Sequence, residues 1–174
     1  MSNMKQLTKK EIKHLVKESD KRDKEIYLIL ENIQYARNVA SIFRTADAAG
    51  VKKILLTGIS KTPPFGKELK QVSRNKEGSV EWKYYEETFD AIKEAKQNGF
   101  LIVAIELTDA SINLYDLQNR LRDVKKICFV AGSEVFGIKK VTLERSDLAV
   151  TIPMYGRGAS LNVSTSVGIA LYSI

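Results

Sequence analysis

Six short apolar runs, IYLIL (26–30), KILLT (53–57), VEWKYY (80–85), FLIVAI (100–105), KICFVA (126–131) and DLAVTI (147–152), punctuate the chain. Helical patterns separate most of them: residues 36–49, a short stretch near 66–74, ETFDAIKEAKQN (87–98), and a last helix entered near residue 163. An uninterrupted apolar strand has no face to give to water. Alternation of such strands with helices therefore predicts an α/β fold, a parallel sheet flanked by helices on both faces. Gly50 and Gly99 stand where C-terminal helix caps belong. Ahead of this pattern, Thr8 followed by Glu11 has capping-box spacing and predicts a charged, peripheral helix over about residues 8–22.

Sheets of this kind bind ligands beyond the carboxyl ends of their strands. Three loops leave strands with unusual residues: ELTDAS (106–111), AGSEVFGI (131–138) and MYGRGASLN (154–162). In the last, Gly156 and Gly158 permit close backbone approach, while Ser160 and Asn162 bring polar groups to a helix N-terminus. The helix itself carries an apolar stripe of Val163, Val167, Ala170, Leu171 and Ile174. Taken alone, a capped loop is the plainer explanation of this stretch. No GxGxxG or GxxxxGK[ST] motif occurs, which disfavours a nucleotide held by its phosphates. A ligand gripped by backbone groups of three loops fits instead.

The 174 residues suit one domain, and their charge is uneven. The net charge is +7, and residues 51–76 hold seven basic side chains against one acid: Lys52, Lys53, Lys61, Lys67, Lys70, Arg74 and Lys76 against Glu68. Such a block suits phosphate contacts; a solvated lysine-rich face is the competing reading. With one cysteine, Cys128, and one histidine, His14, there is no internal disulfide, clustered Cys/His metal site or Ser-His or Cys-His pair. Both residues are expected to be structural. No apolar run approaches 18 residues and the N-terminus is too polar for a signal peptide, so a soluble cytoplasmic protein with no membrane contact is expected.

The stretch NIQYARNVASIFRTADAAGV (32–51), with Asn38 six residues before Arg44, joins GSEVFGI (132–138) and IPMYGRGASLNVSTSVGIALY (152–172). Together they resemble the three motifs of the SpoU (TrmH-like) ribose methyltransferases of the SPOUT class, in order and spacing, from about residue 26 onward. The resemblance implies a C-terminal segment threaded into a deep trefoil knot, S-adenosylmethionine as methyl donor and a homodimer with its active site near the interface. It also implies an RNA ribose 2′-hydroxyl as acceptor. Transfer RNA is preferred to ribosomal RNA because no sizeable extra RNA-binding domain precedes the catalytic part. Residues 1–25 then form a basic helical extension and 26–174 the SPOUT domain.

Position by position, the resemblance gives Asn38, Arg44, Glu134, Ser160 and Asn162 functional roles and places Leu107, Gly132, Ile152, Ser160 and Leu161 at the cofactor. Lys67, Lys70, Arg74 and Arg157 are the candidates for RNA contact. Val39 and Val135 stand where the family often has Gly and are expected to narrow the pocket. The family suggests Arg44 as the base, but a guanidinium gives up its proton too reluctantly for that role, which favours a phosphate-holding, electrostatic one. Asn38 and Arg44 sit about 120° apart at ~3.6 residues per turn and need not serve one pocket; Asn38 is a candidate to act across the dimer. Plainer readings compete: Arg44 as ion-pair partner of Asp47, Glu134 as cap of a helix beginning near Phe136, Asn162 as cap of the last helix, and Arg157 as a loop charge. Two other functions compete as well, an inactive knotted RNA-binding protein and a base methyltransferase.

Overall fold

The computed structural model describes residues 4–18 and 22–174. Seven strands form one parallel sheet: β1 (Glu25–Glu31), β2 (Lys53–Thr57), β3 (Glu81–Tyr85), β4 (Leu101–Ile105), β5 (Ile112–Asn113), β6 (Lys126–Ala131) and β7 (Leu148–Thr151), in the order β3-β2-β1-β6-β4-β7-β5. At the centre, Leu28 of β1 lies opposite Ile54 of β2 on one side and Phe129 of β6 on the other. β4 sits between β6 and β7, so three loops far apart in sequence leave the carboxyl ends of adjacent parallel strands.

Side chains alternate across a strand, and both faces of β1 are buried. Ile26, Leu28 and Leu30 face one apolar cluster with α2 (Ala36–Ala48) and α7 (Val163–Tyr172). There α2 contributes Val39, Ala40, Ile42, Phe43 and Ala46, and α7 contributes Val163, Val167, Ala170 and Leu171. Tyr27 and Ile29 face the other cluster, where α4 (Thr88–Gln97) contributes Ala91, Ile92 and Ala95, and Tyr27 stacks on Phe100 with ring centroids 3.9 Å apart. Cys128 is buried in β6, where desolvation pushes its thiol pKa up and keeps it protonated. Four of the five stripe positions predicted for the last helix, Val163, Val167, Ala170 and Leu171, are buried on it, whereas the helix ends at Tyr172 and Ile174 packs half-buried beyond its end.

The capping box forms: Thr8 N donates to Glu11 Oε2 at 2.7 Å and Glu11 N donates to Thr8 Oγ1 at 3.4 Å. The helix it starts, α1 (Lys9–Glu18), ends before the predicted residue 22; residues 19–21 lie outside the described residues, and Arg22 is not helical. Arg22 instead donates from Nη2 to the Leu171 carbonyl at 2.6 Å, satisfying an unpaired acceptor at the end of α7. Gly50 and Gly99 follow their helices at φ 71° and 80°.

Five elements were not predicted: the 3₁₀ turns Lys76–Gly78 and Leu114–Asp116, β5, α5 (Leu117–Arg120) and α6 (Lys140–Leu143). Each spans four residues or fewer, too short for periodicity to register. Tertiary contacts specify α6. The fully buried carboxylate of Glu31, on β1, accepts from Lys139 N at 2.9 Å and from Thr142 Oγ1 at 2.6 Å. A second carboxylate ties α4 to the sheet edge, where Glu94 accepts from Lys53 at 3.0 Å, Lys83 at 2.7 Å and the Tyr85 hydroxyl. Burial alone would raise the Glu94 pKa, but these hydrogen bonds prevail and hold it at about 2.

Candidate active site

The loops after β4, β6 and β7 enclose a cavity of about 680 Å³, with the start of α2 forming a further wall. Every residue assigned to the cofactor lines it: Leu107, Gly132, Ile152, Ser160 and Leu161. Asn38, Glu134 and Asn162 line it too.

The loop after β6 is a tight reversal, with Ser133 N donating to the Gly137 carbonyl at 3.1 Å and Gly137 N donating to that of Ser133 at 2.9 Å. A Cβ on Gly132 would sit 2.3 Å from Gly137 C and 2.4 Å from Ile138 N, so the reversal closes only over a glycine. Gly137 adopts φ 65°, and a Cβ there would lie 2.4 Å from Glu106 Oε2. That oxygen accepts from Ile138 N at 2.9 Å and its partner Oε1 accepts from Leu107 N at 3.1 Å, so one carboxylate joins the β4 and β6 loops.

Glu134 is not a helix cap, because no helix begins near Phe136. It reaches across to α2 instead, where Gln34 N donates to Oε2 at 2.9 Å and Tyr35 N to Oε1 at 3.4 Å. Asn38 Nδ2 donates to the same Oε1 at 2.6 Å, and Asn38 Oδ1 accepts from Asn162 Nδ2 at 3.1 Å. Asn162 also caps α7, its Oδ1 accepting from Ser164 N at 2.9 Å. The cap reading of Asn162 and its place in the site are thus both met by one side chain. Asn38 belongs to the cavity of its own chain.

Arg44 does not join this group. It is exposed and outside the cavity lining, consistent with its angular separation from Asn38. Nor does it pair with Asp47, whose carboxylate is 2.7 Å from Lys76 Nζ. Val39 is fully buried in the core and leaves the cavity untouched, whereas Val135 lines it.

The basic segment divides in two. Lys52 pairs with Glu25, Lys53 with Glu81 and Glu94, and Lys76 with Asp47. Lys67, Lys70 and Arg74 are exposed, without an ion pair among the described residues, and line one groove of about 520 Å³ with Phe65, Gln71 and Asn75. All three lie on or at the end of α3 (Lys67–Ser73), and Phe65 anchors the groove through an edge-on contact with Phe43 of α2 at 5.5 Å. Arg157 is exposed on the loop after β7, apart from this groove. Sequence reasoning did not single out Glu31, Glu106, Gly137 or Tyr35. Only Glu106 carried a signal, as the acid that opens a loop directly after an apolar strand.

Among the described residues, no helix is long and apolar enough to cross a membrane, and no group of His, Cys, Asp and Glu could hold a metal. A family profile described as "SpoU rRNA Methylase family" matches residues 25–172. A tRNA (guanosine(18)-2′-O)-methyltransferase of Aquifex aeolicus is 32% identical over 166 residues, 94% of this chain and 74% of that protein. The protein of the same description from Escherichia coli K12 is 28% identical over 87% of this chain and 63% of its own length. Among solved structures, an AdoMet-bound rRNA methyltransferase from Sinorhizobium meliloti superposes with TM-score 0.78 at 27% identity, over 87% of this chain and 56% of that one. The A. aeolicus TrmH/SpoU tRNA modifying enzyme superposes with TM-score 0.75 at 29% identity, over 94% and 80%.

Proposed function

The chain belongs to the SpoU rRNA Methylase family, and on that premise we propose that it methylates a ribose 2′-hydroxyl of transfer RNA, using S-adenosylmethionine. The observation that carries this is the single cavity to which all three motifs contribute, braced by the Asn38–Glu134–Asn162 hydrogen bonds. Relatives described as tRNA 2′-O-methyltransferases support the substrate class. A transfer RNA substrate supports a cytoplasmic location.

S-adenosylmethionine supplies a methyl group already activated on a sulfonium. The cavity residues suit that donor. The Gly132 reversal keeps the backbone against the cavity, and Leu107, Ile152 and Leu161 offer apolar walls beside the amides and carbonyls of the same loops. The protein's remaining work is to align the hydroxyl and lower the barrier to losing its proton. Glu134 and Asn162 brace the loops, and Ser160, which lines the same cavity, is assigned to the cofactor and the reaction. Lys67, Lys70, Arg74 and Arg157 hold RNA phosphates. Arg44 stabilises charge on the substrate across a homodimer interface, acting at the partner's cavity. Family membership is what supports the homodimer; within the chain α2 and α7 pack on each other, a Cβ on Gly168 falling 3.6 Å from Thr45 Cγ2, and Arg44 stays exposed on α2, where a second copy could meet it. Family membership also supports a knotted C-terminal segment, and we take residues 26–174 as the catalytic domain with 1–25 as its extension.

The experiment is to map 2′-O-methyl positions in total RNA with and without the protein. A new site in transfer RNA is the expected result. A site in ribosomal RNA, the substrate named for the S. meliloti protein, would move the substrate, and cofactor binding with no new site would favour an inactive RNA-binding protein. Nucleoside analysis showing a methylated base would overturn the ribose assignment.

A further inference from the structure

A 2′-hydroxyl inside a stacked helix cannot enter a cavity whose walls are three loops, so a nucleotide that reacts there must be pulled out of its stack. The base that loses its neighbours needs a substitute surface, and exposed aromatic side chains provide one. Two stand at this cavity. Tyr35, 58% exposed, precedes the first turn of α2, and Phe136, 86% exposed, lies in the reversal after β6; both line the cavity beside Asn38 and Glu134.

We propose that Tyr35 and Phe136 form a stacking subsite for the unstacked base of the RNA nucleotide whose ribose is methylated. The inference rests on the function proposed above and adds where the base goes.

Rigidity supports it. Glu134 accepts from both Gln34 N and Tyr35 N, so the backbone at Tyr35 is pinned while its ring stays in solvent. An ordered aromatic ring held out in water loses little entropy when a flat ligand settles on it. Phe136 extends from a loop closed by two backbone hydrogen bonds and by a Gly132 position that admits no side chain. The surrounding charge matches a polyanion rather than an apolar partner. Arg37 follows Tyr35 by two residues and Arg157 lies on the opposite loop, both exposed and without an ion pair among the described residues. A base of any identity has a π face, so this subsite grips the nucleotide without reading its sequence.

The test compares wild type with Tyr35→Ala, Tyr35→Phe, Tyr35→Leu and Phe136→Ala, using bulk bacterial transfer RNA and tritiated S-adenosylmethionine. Tyr35→Ala and Phe136→Ala are expected to lower kcat/KM for RNA about tenfold or more, with cofactor affinity by calorimetry and dimerisation by light scattering unchanged. Tyr35→Phe should remain near wild type, and Tyr35→Leu, apolar but not aromatic, should not rescue. Normal kcat/KM in both alanine variants overturns the proposal, as does a leucine variant equal to the phenylalanine one. A shift to monomer in Tyr35→Ala also overturns it, since that ring would then be covered by a second copy. Filter binding of the same transfer RNA to the same proteins separates the two levels. If wild type binds RNA and methylates it while the alanine variants do so equally well, only the stacking subsite falls. If wild type neither methylates nor binds RNA, the proposed function falls with it.

Discussion

The side-chain amide of Asn38 donates to Glu134 at 2.6 Å, and its oxygen faces Asn162 at 3.1 Å, so the amide's orientation is set from both ends. Glu134→Gln would confront the Asn38 donor with a second amide that cannot satisfy every partner. We expect about a tenfold or larger loss of methyl transfer and weaker cofactor binding. Adding Asn38→Asp supplies acceptors to the introduced glutamine and to Asn162, and should recover part of both. Equal activity in the single and double variants, measured side by side, would show that the pair is not coupled.

Arg44→Ala should cut methyl transfer at least about a hundredfold while cofactor affinity and dimerisation survive, the scale on which an oriented electrostatic group acts. Arg44→Lys distinguishes a charge from a planar fork, since rescue requires only charge in the first case. Mixing Arg44→Ala with Gly132→Ala subunits should restore activity if Arg44 serves the partner's cavity. Mixtures as inactive as either parent would place it on its own chain's substrate.

Replacing Lys67, Lys70 and Arg74 together with Ala should weaken RNA binding and flatten its salt dependence by about one unit of slope per lost phosphate contact. Cofactor affinity should hold. The same measurement on Lys52→Ala and Lys53→Ala should leave the slope nearly unchanged, because those lysines are engaged by Glu25, Glu81 and Glu94.

Gly132→Ala places a methyl group 2.3 Å from backbone that cannot yield without opening the loop. Thermal unfolding should show a loss of about 1–3 kcal/mol, and calorimetry should show cofactor affinity reduced more than the fold. Gly50→Ala, where nothing lies within 4 Å, should bind the cofactor normally despite its strained φ of 71°.

Glu94 has its folded pKa lowered to about 2 from an ordinary 4.5. A group depressed on folding contributes stability that is present above its unfolded pKa and lost as pH falls through the folded one. Glu94→Gln should therefore be destabilising at neutral pH, by at most about 3 kcal/mol. The gap to wild type should narrow between about pH 4.5 and 2. A gap independent of pH in urea titrations would mean that the carboxylate's charge is irrelevant.

The order of strands and helices was legible in the chain itself, because burial on both faces demands unbroken apolar runs and each covering helix needs its own stripe. IYLIL, KILLT and KICFVA became β1, β2 and β6 within a residue at each end, and the stripe from Val163 to Leu171 packs as its spacing implied. Asn38, Glu134 and Asn162 were legible as candidates from their motifs. Their hydrogen bonds were not, since about a hundred residues separate Asn38 from Glu134 and pattern carries no information on register across the sheet. For the same reason Glu31 and Glu106 went unnoticed: a buried carboxylate is tolerable only when distant amides and hydroxyls converge on it, and that convergence exists only after folding. Arg44 shows the division most clearly. Helical periodicity by itself determined that it points away from Asn38, and only the packed structure decided that it leaves the cavity and that Lys76 takes Asp47. Local spacing is written in covalent geometry, whereas the partner of a charge is chosen by which strands lie side by side.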